Sequence, residues 1–207
     1  MGAAAPGRRE RKKKALRARI VTDCCTLIAD IGVDGTTLEA LCDQVDISKK
    51  TFYNYFDSKD SLLLEICQSH LVAGIAAALD TAMAEGGDCA AQLDLVFTAL
   101  AEGQAEPQRF DVELIDYLVS NFVRNRGASV GLLDEMNAHF TRFFDHHRES
   151  LRQGYSPQFC GEMVVGMIVS VALNWINHPE ATSAQALPQL CAFIQQSMLT
   201  APAGEAA

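Results

Sequence analysis

Aromatic residues are scarce in this chain of 207 residues, at 7% with a single tryptophan. Alanine and leucine abound, and the strand-forming residues fall mostly at helical spacing, which argues against a sheet and for an all-α fold. The seven cysteines show no paired spacing: Cys24 and Cys25 are adjacent, and Cys42, Cys67, Cys89, Cys160 and Cys191 are scattered. That pattern excludes a secreted disulfide framework and a C-x-x-C site, and a direct bond between neighbours on a helix would be strained. The most apolar run, "MVVGMIVSVALNWI", covers 14 residues (163–176) and includes Ser170 and Asn174. It falls short of the roughly 20 residues that cross a bilayer, so no membrane partner is expected. The N-terminus carries charge without a following apolar stretch, unlike a secretory signal, and Pro6 stands where a myristoylation motif wants Ser or Thr. His139 and His146 lie seven apart, about 10.5 Å along a helix, too far to share one ion. There is no nucleophile–base pair, phosphate loop or metal cluster. The expectation is a protein of the reduced cytoplasm that is not an enzyme, with no cofactor and no metal.

Hydrophobic residues make up 49% of the chain, enough for a sizeable core, and the formal net charge is -9. An acidic total argues against a polyanion partner, but the charge is unevenly placed. Residues 1–70 hold 11 Lys/Arg and 10 Asp/Glu, a net of +1, and the remaining residues carry -10. Between residues 8 and 19, eight cations (Arg8, Arg9, Arg11, Lys12, Lys13, Lys14, Arg17, Arg19) stand against Glu10. A basic front end on an acidic body suggests a polyanion at one end only; a solvated basic tail is the plainer alternative.

After a flexible lead at 1–7, a helix is expected from about Arg9 to Ile31, with Ile20, Cys24, Leu27, Ile28 and Ile31 as its apolar stripe. "GVDG" (32–35) breaks it. Thr37 is placed to cap a short helix, "LEALCDQV", with Leu38, Leu41 and Cys42 on one face. Asp46-Ile47 turns, and Ser48 caps a second short helix, "KKTFYNYF". A further turn and cap in "DSKDSLLLEI" opens a long helix to about Met83, ended by Glu85-Gly86-Gly87. Helices follow at about 89–105 (closed before Pro107), 108–125 (Leu114, Ile115, Leu118, Val119 and Phe122 inside, Gly127 after it), 130–153 (ended by Gly154), 157–177 (Ser156 cap, Pro157 at the first position) and 183–199, with disorder expected over 200–207. No internal repeat is present.

The stretch "SKKTFYNYF" (48–56) carries two lysines and four aromatics in five positions. Two short helices with a tight turn form a helix-turn-helix, whose second helix fits the major groove. Phe52 and Phe56, four apart, share a face and should anchor that helix to its own domain. Lys49, Lys50, Tyr53 and Asn54 project elsewhere. Lysine meets phosphate or guanine, asparagine pairs with adenine, and Thr51 or a tyrosine edge meets a thymine methyl. Tyr53 and Tyr55 also offer hydroxyls to phosphate.

"TTLEALCDQVDISKKTFYNYFDSKDSLLLEI" (36–66) resembles the DNA-binding segment of the TetR family of bacterial transcriptional regulators. The matching residues are Thr37, Ile47-Ser48, Thr51 through Phe56, and Ser58-Lys59-Asp60-Ser61-Leu62. It departs at the turn, where Val45-Asp46-Ile47-Ser48 replaces the usual Ala-Gly-Val-Ser, and at Cys42, usually alanine. Asp46 must then accept the positive φ that glycine tolerates. The resemblance implies an N-terminal three-helix helix-turn-helix domain (8–66) and a C-terminal helical ligand-binding and dimerisation domain (67–199). It implies that Tyr53 and Lys59 grip phosphate and that Thr37 sits where a helix N-terminus meets one. With Ser48 and Tyr55, and with Lys49, Lys50, Thr51 and Asn54 as the base-reading candidates, these form the expected double-stranded DNA contact set. The basic residues at 8–14 add electrostatic affinity or reach a neighbouring minor groove.

The 157–177 helix is apolar nearly all round, so it needs cover on every side, and the resemblance implies a homodimer through the last two helices. Tyr117, Asn121, Phe140, Phe143, Met167 and Trp175 are the candidate lining of an effector pocket, and an apolar or aromatic small molecule is the expected effector. The function so implied is a repressor released from a palindromic operator by that effector. An activator or dual regulator on the same scaffold, and a helical ligand carrier or enzyme, are the alternatives.

Overall fold

A computed structural model describes residues 7–103, 109–124, 128–178 and 183–200. The expected lead at 1–6, the breaks at Pro107 and Gly127 and the tail at 201–207 lie outside the described residues, as does the side chain of Phe122. The helices are α1 (Arg8–Gly35), α2 (Leu38–Val45), α3 (Lys49–Tyr53), α4 (Lys59–Cys67), α5 (Ala73–Glu85), α6 (Cys89–Gly103), α7 (Arg109–Arg124), α8 (Ala128–His146), α9 (Pro157–Asn177) and α10 (Ser183–Met198). A π-helical turn, Gln68–Val72, joins α4 to α5, and a single 3₁₀ turn, Arg148–Ser150, follows α8. Among the described residues no β-strand forms, and the all-α expectation holds; one isolated antiparallel bridge joins Leu151 to Leu199.

The chain divides into two compact units. The first gathers the described residues up to Ile66 and the start of α7 to Leu114. Its core is Ile20, Cys24 and Ile28 of α1, Leu41, Cys42 and Val45 of α2, Phe52, Phe56, and Leu62, Leu63 and Ile66 of α4. The expected α1 stripe is correct except at its end, where Ile31 is 45% exposed. The helix is interrupted at the next residue, Gly32 (φ 79°, ψ 172°), and Val33 takes the core position instead.

That kink leaves backbone groups to satisfy, and several find partners elsewhere in the chain. The Gly32 carbonyl accepts from Thr36 N–H (3.1 Å) and from the buried Thr36 hydroxyl (2.7 Å). Lys59 Nζ donates to the carbonyls of Val33 (3.0 Å) and Thr36 (2.9 Å). Val33 N–H donates to Glu113 Oε2 at 2.8 Å. Glycine suits residue 32 by its positive φ, and a Cβ there would lie 2.7 Å from Glu113 Oε1 and push that carboxylate aside. Arg109, one turn earlier on α7, donates to the Asp30 carbonyl (2.6 Å) and pairs with Glu113 (3.7 Å).

In the second unit α8 and α9 make the most extensive helix pair, and α5, α6 and α10 complete the packing. Gly161 permits the close approach: a Cβ there would sit 2.8 Å from Thr141 Oγ1 and 2.9 Å from the Thr141 backbone nitrogen. Phe97, Phe140, Phe143 and Phe144 fill the centre. The buried Gln92 side chain donates to the Gly87 carbonyl (3.3 Å), and its Oε1 lies 2.8 Å from His147 Nε2. An amide oxygen only accepts, so that His147 nitrogen is the donor, and burial lowers the histidine pKa and favours this neutral ring.

Two helix ends fall well short of the sequence reading. α8 stops at His146, not near 153. α3 stops at Tyr53, three residues before the expected Phe56, because Asn54 and Tyr55 turn tightly, with N–H groups donating to Thr51 O (3.1 Å) and Phe52 O (2.8 Å). The 14-residue apolar run lies inside a 21-residue helix, so α9, like the Lys59–Glu85 stretch, is long and apolar enough to cross a membrane by length and composition alone. A packed core helix meets the same criterion, and α9 packs on α8 and α10. All seven cysteines are free thiols. Burial pushes Cys24, Cys67, Cys89 and Cys191 up to about 12 and raises Cys25, Cys42 and Cys160, which keeps thiolate scarce.

Removing the Glu113 acceptor orphans a buried N–H, at a cost of about 1–3 kcal/mol. Glu113→Ala should lower the Tm by roughly 2–10 °C, and Glu113→Gln, which keeps an acceptor oxygen, by clearly less. Thermal melts by circular dichroism check this; an unchanged Tm for the alanine variant would contradict the assignment.

Candidate functional site

The helix-turn-helix is built by local chemistry. Thr37 Oγ1 accepts from Ala40 N–H at 3.1 Å and starts α2. Asp46 ends it in the left-handed region (φ 58°, ψ 54°), and Ile47 N–H returns to the Cys42 carbonyl at 2.9 Å. Aspartate thus occupies the position that needs positive φ. Ser48 Oγ accepts from Thr51 N–H at 3.1 Å and lies 2.9 Å from the Thr51 hydroxyl. At the start of α4, Ser58 Oγ accepts from Ser61 N–H (3.0 Å) while Ser61 Oγ accepts from Ser58 N–H (3.1 Å), a reciprocal cap.

α3 separates its side chains by face. Phe52 and Phe56 are buried and stacked, with ring centroids 5.6 Å apart. The opposite side presents Lys49, Lys50, Tyr53 and Asn54, all exposed, with Tyr53 at 53%. Ser48 and Thr37 are exposed, and Thr51 and Tyr55 are half-buried. The structure therefore brings Ser48, Lys49, Lys50, Thr51, Tyr53, Asn54 and Tyr55 together, with Thr37 at the start of the neighbouring helix.

Lys59 is differently engaged. An ammonium carries three donors, and two are committed to the Val33 and Thr36 carbonyls. Its first role is to hold the α1–α2 corner, with one donor left for a phosphate. Lys49 is also occupied: it pairs with Glu39 in the first turn of α2, both groups exposed. The lysine's hydrogen bond lowers the carboxylate pKa, and the carboxylate raises that of the lysine. Glu39 went unnoticed in the sequence reading because it precedes its partner by ten residues, a separation with no helical signature.

The second unit holds a cavity of about 140 Å³. Its lining is wholly aliphatic or thioether, including Leu71, Ile75, Leu118, Val119, Met136 and Ile168. None of the six candidate lining residues takes part. Phe140 and Phe143 are fully buried in the core, and the Asn121 amide donates to the Tyr117 carbonyl at 3.0 Å. Met167 and Trp175 of α9 are half-buried and do not line the cavity.

These features define an all-helical protein with a helix-turn-helix DNA-binding segment. The family model described as bacterial regulatory proteins, tetR family, matches residues 23–66. Over this segment the chain is similar to the TetR family. The Staphylococcus aureus biofilm operon icaADBC negative transcriptional regulator IcaR is 38% identical over 47 residues, 23% of this chain and 25% of that protein, so the match spans a quarter of the relative's length. Among solved structures, the Thermus thermophilus TetR-family repressor FadR in complex with lauroyl-CoA superposes with a TM-score of 0.75 at 23% identity, covering 92% of this chain and 99% of that one. Reduced Escherichia coli NemR gives 0.70 at 16% identity over 91% and 99%. RolR with resorcinol gives 0.68 at 20% identity over 91% and 90%. These three likenesses concern the fold.

Replacing Glu39 with glutamine frees Lys49 and removes a negative charge beside the exposed face of α3. An exposed ion pair is weak and screened by salt, so Glu39→Gln should tighten DNA binding only modestly, by up to about fivefold at low salt. Fluorescence anisotropy on duplex DNA measures this; weaker binding would mean that Glu39 supports the interface instead of competing with it.

Proposed function

We propose that this chain is a cytoplasmic, homodimeric transcriptional repressor that binds a palindromic operator through α3 and releases it when an apolar small molecule enters the cavity of the second unit. The observation that carries the reading is the face of α3: Lys50, Tyr53 and Asn54 exposed in a row over a floor of buried Phe52 and Phe56. A helix held so firmly from beneath has its backbone ordered before DNA arrives, so only its exposed side chains lose freedom on binding. Lys50 and Asn54 suit guanine and adenine edges, and Tyr53, Thr37 and the remaining Lys59 donor suit phosphate.

The effector reading rests on the cavity chemistry. A lining with no polar side chain favours hydrocarbon, and about 150 Å³ of apolar space accommodates a molecule of benzene's size. A longer acyl chain, such as that of the lauroyl-CoA held by the Thermus protein, would enter as flexible lining groups such as Met136 move aside. Any such ligand must bind the DNA-free state better, or it shifts nothing.

The dimer reading rests on α9 and α10. Phe159, Met163 and Leu173 are 43%, 41% and 38% exposed, and Gly166 and Ser170 continue the same exposed face at alternating spacings of four and three. Phe193 on α10 is 56% exposed. Apolar side chains at such a seam call for a partner, and a second copy supplies the two half-site readers that a palindrome needs.

Selection from random DNA should return one palindromic consensus. Lys50→Ala and Asn54→Ala should each change the preferred base at a position within the half-site, losing about 1–3 kcal/mol of discrimination there. Unchanged preference in both would remove the base-contact assignment. Sedimentation of the wild type should give a dimer, and Met163→Glu with Phe193→Glu a monomer; a wild-type monomer throughout would overturn the dimer.

A further inference from the structure

The N-terminal part of α1 is a helix with nothing to lean on. Every residue from Arg8 to Ala15 is exposed, so two turns of the helix bury no apolar face. Its N-cap residue, Gly7, makes no side-chain capping bond. The first turn carries Arg8 and Arg9, which oppose the helix dipole, against a single Glu10, which favours it. Cations face cations at three- and four-residue spacing: Arg8 with Arg11 and Lys12, Arg9 with Lys12 and Lys13, Arg11 with Lys14. Among the described residues, none of the six cations Arg8, Arg9, Arg11, Lys12, Lys13 and Lys14 forms an ion pair. A polar, uncapped, self-repelling helix is unfavourable in water unless something outside it supplies the missing charge.

The next cation inward is firmly held. Arg17 makes a two-pronged bond to Glu65 of α4, and its guanidinium lies 4.6 Å from the centroid of the Phe56 ring. The basic segment therefore leaves the first unit beside the phenyl group that closes the recognition stretch. From Arg17 to Arg8 the helix rises about 14 Å, a length over which duplex DNA presents about eight phosphates.

We propose that Arg8–Lys14 is a second DNA-contact element, which becomes stably helical on the phosphates flanking each half-site. Residues 8–14 lie outside the matched family segment, and the proposal rests on the DNA-binding reading given above. Duplex DNA is the polyanion to which this unit presents α3, and a run of like charges along an unpacked helix matches the regular spacing of its phosphates. The element adds affinity and leaves sequence preference to α3.

The test uses the full chain with Arg8, Arg9, Arg11, Lys12, Lys13 and Lys14 all changed to glutamine, on a wild-type-selected operator prepared with and without about ten flanking base pairs on each side. On flanked DNA the variant should bind about 10- to 100-fold more weakly near 0.1 M salt. Its slope of log affinity against log salt should be shallower by about 0.9 for each phosphate that the variant no longer neutralises. The wild type should gain helical circular dichroism on binding flanked DNA, and the variant should gain less. The consensus selected by the variant should match that of the wild type. Equal affinity and salt slope for the two proteins would overturn the proposal while leaving the regulator reading intact. An equal loss on flanked and unflanked DNA would overturn the flanking placement. Tight binding of the arm to anionic vesicles, with DNA affinity unaffected by the substitutions, would assign it to a lipid surface and also overturn the proposal. Failure of the wild type to select any sequence is a different result, and it would remove the DNA-binding reading itself.

Discussion

The DNA-binding unit depends on the polar corner where α1 meets α2. Gly32 breaks the helix and exposes backbone groups in a region where Val33 and Thr36 are buried. Two charged side chains close it from distant parts of the chain: the Lys59 ammonium on two carbonyls and the Glu113 carboxylate on one N–H. Leaving such groups unpaired would cost more than the bonds themselves contribute, so the corner tolerates few alternatives. It sets the direction in which α2 leaves α1 and, through the short Asp46-Ile47 turn, the placement of α3.

α3 has only five residues and could not persist alone. It is held by a hydroxyl cap at Ser48, by Phe52 and Phe56 beneath it, and by the pairing of Lys49 with Glu39 across the turn. The two phenylalanines act on the buried face of the helix, away from the polar side chains. The Lys49–Glu39 pair occupies a residue proposed to contact DNA. Lys59 commits two of its three donors to the carbonyls of Val33 and Thr36.

Local chemistry was readable from the sequence, and long-range partners were not. Thr37, Ser48 and Ser156 cap their helices because the acceptor and the amide lie three residues apart, well within what a sequence displays. The left-handed Asp46 was likewise legible from a known turn. Glu113 was invisible because it acts on a residue 80 positions away. α3 was read too long because aromatic spacing continues past Tyr53 although the backbone turns at Asn54. For the cavity, the reading chose helices that line it but other residues on them. It favoured Tyr117, Phe140, Phe143, Met167 and Trp175 for their bulk, whereas the lining includes Leu118, Val119, Met136, Ile168 and Val169. Periodicity identifies an apolar helix, but in α9, apolar nearly all round, it cannot tell core from cavity from seam.

The central claim is that α3 presents a sequence-reading surface, and the most direct measurement is the ratio of affinities for the selected palindrome and for a scrambled duplex of equal length and composition, at physiological salt. Direct readout by α3 predicts a ratio of about 10³ or more. A ratio near one, with both duplexes bound and both equally salt-sensitive, would mean that the protein holds DNA by charge alone and would contradict the account.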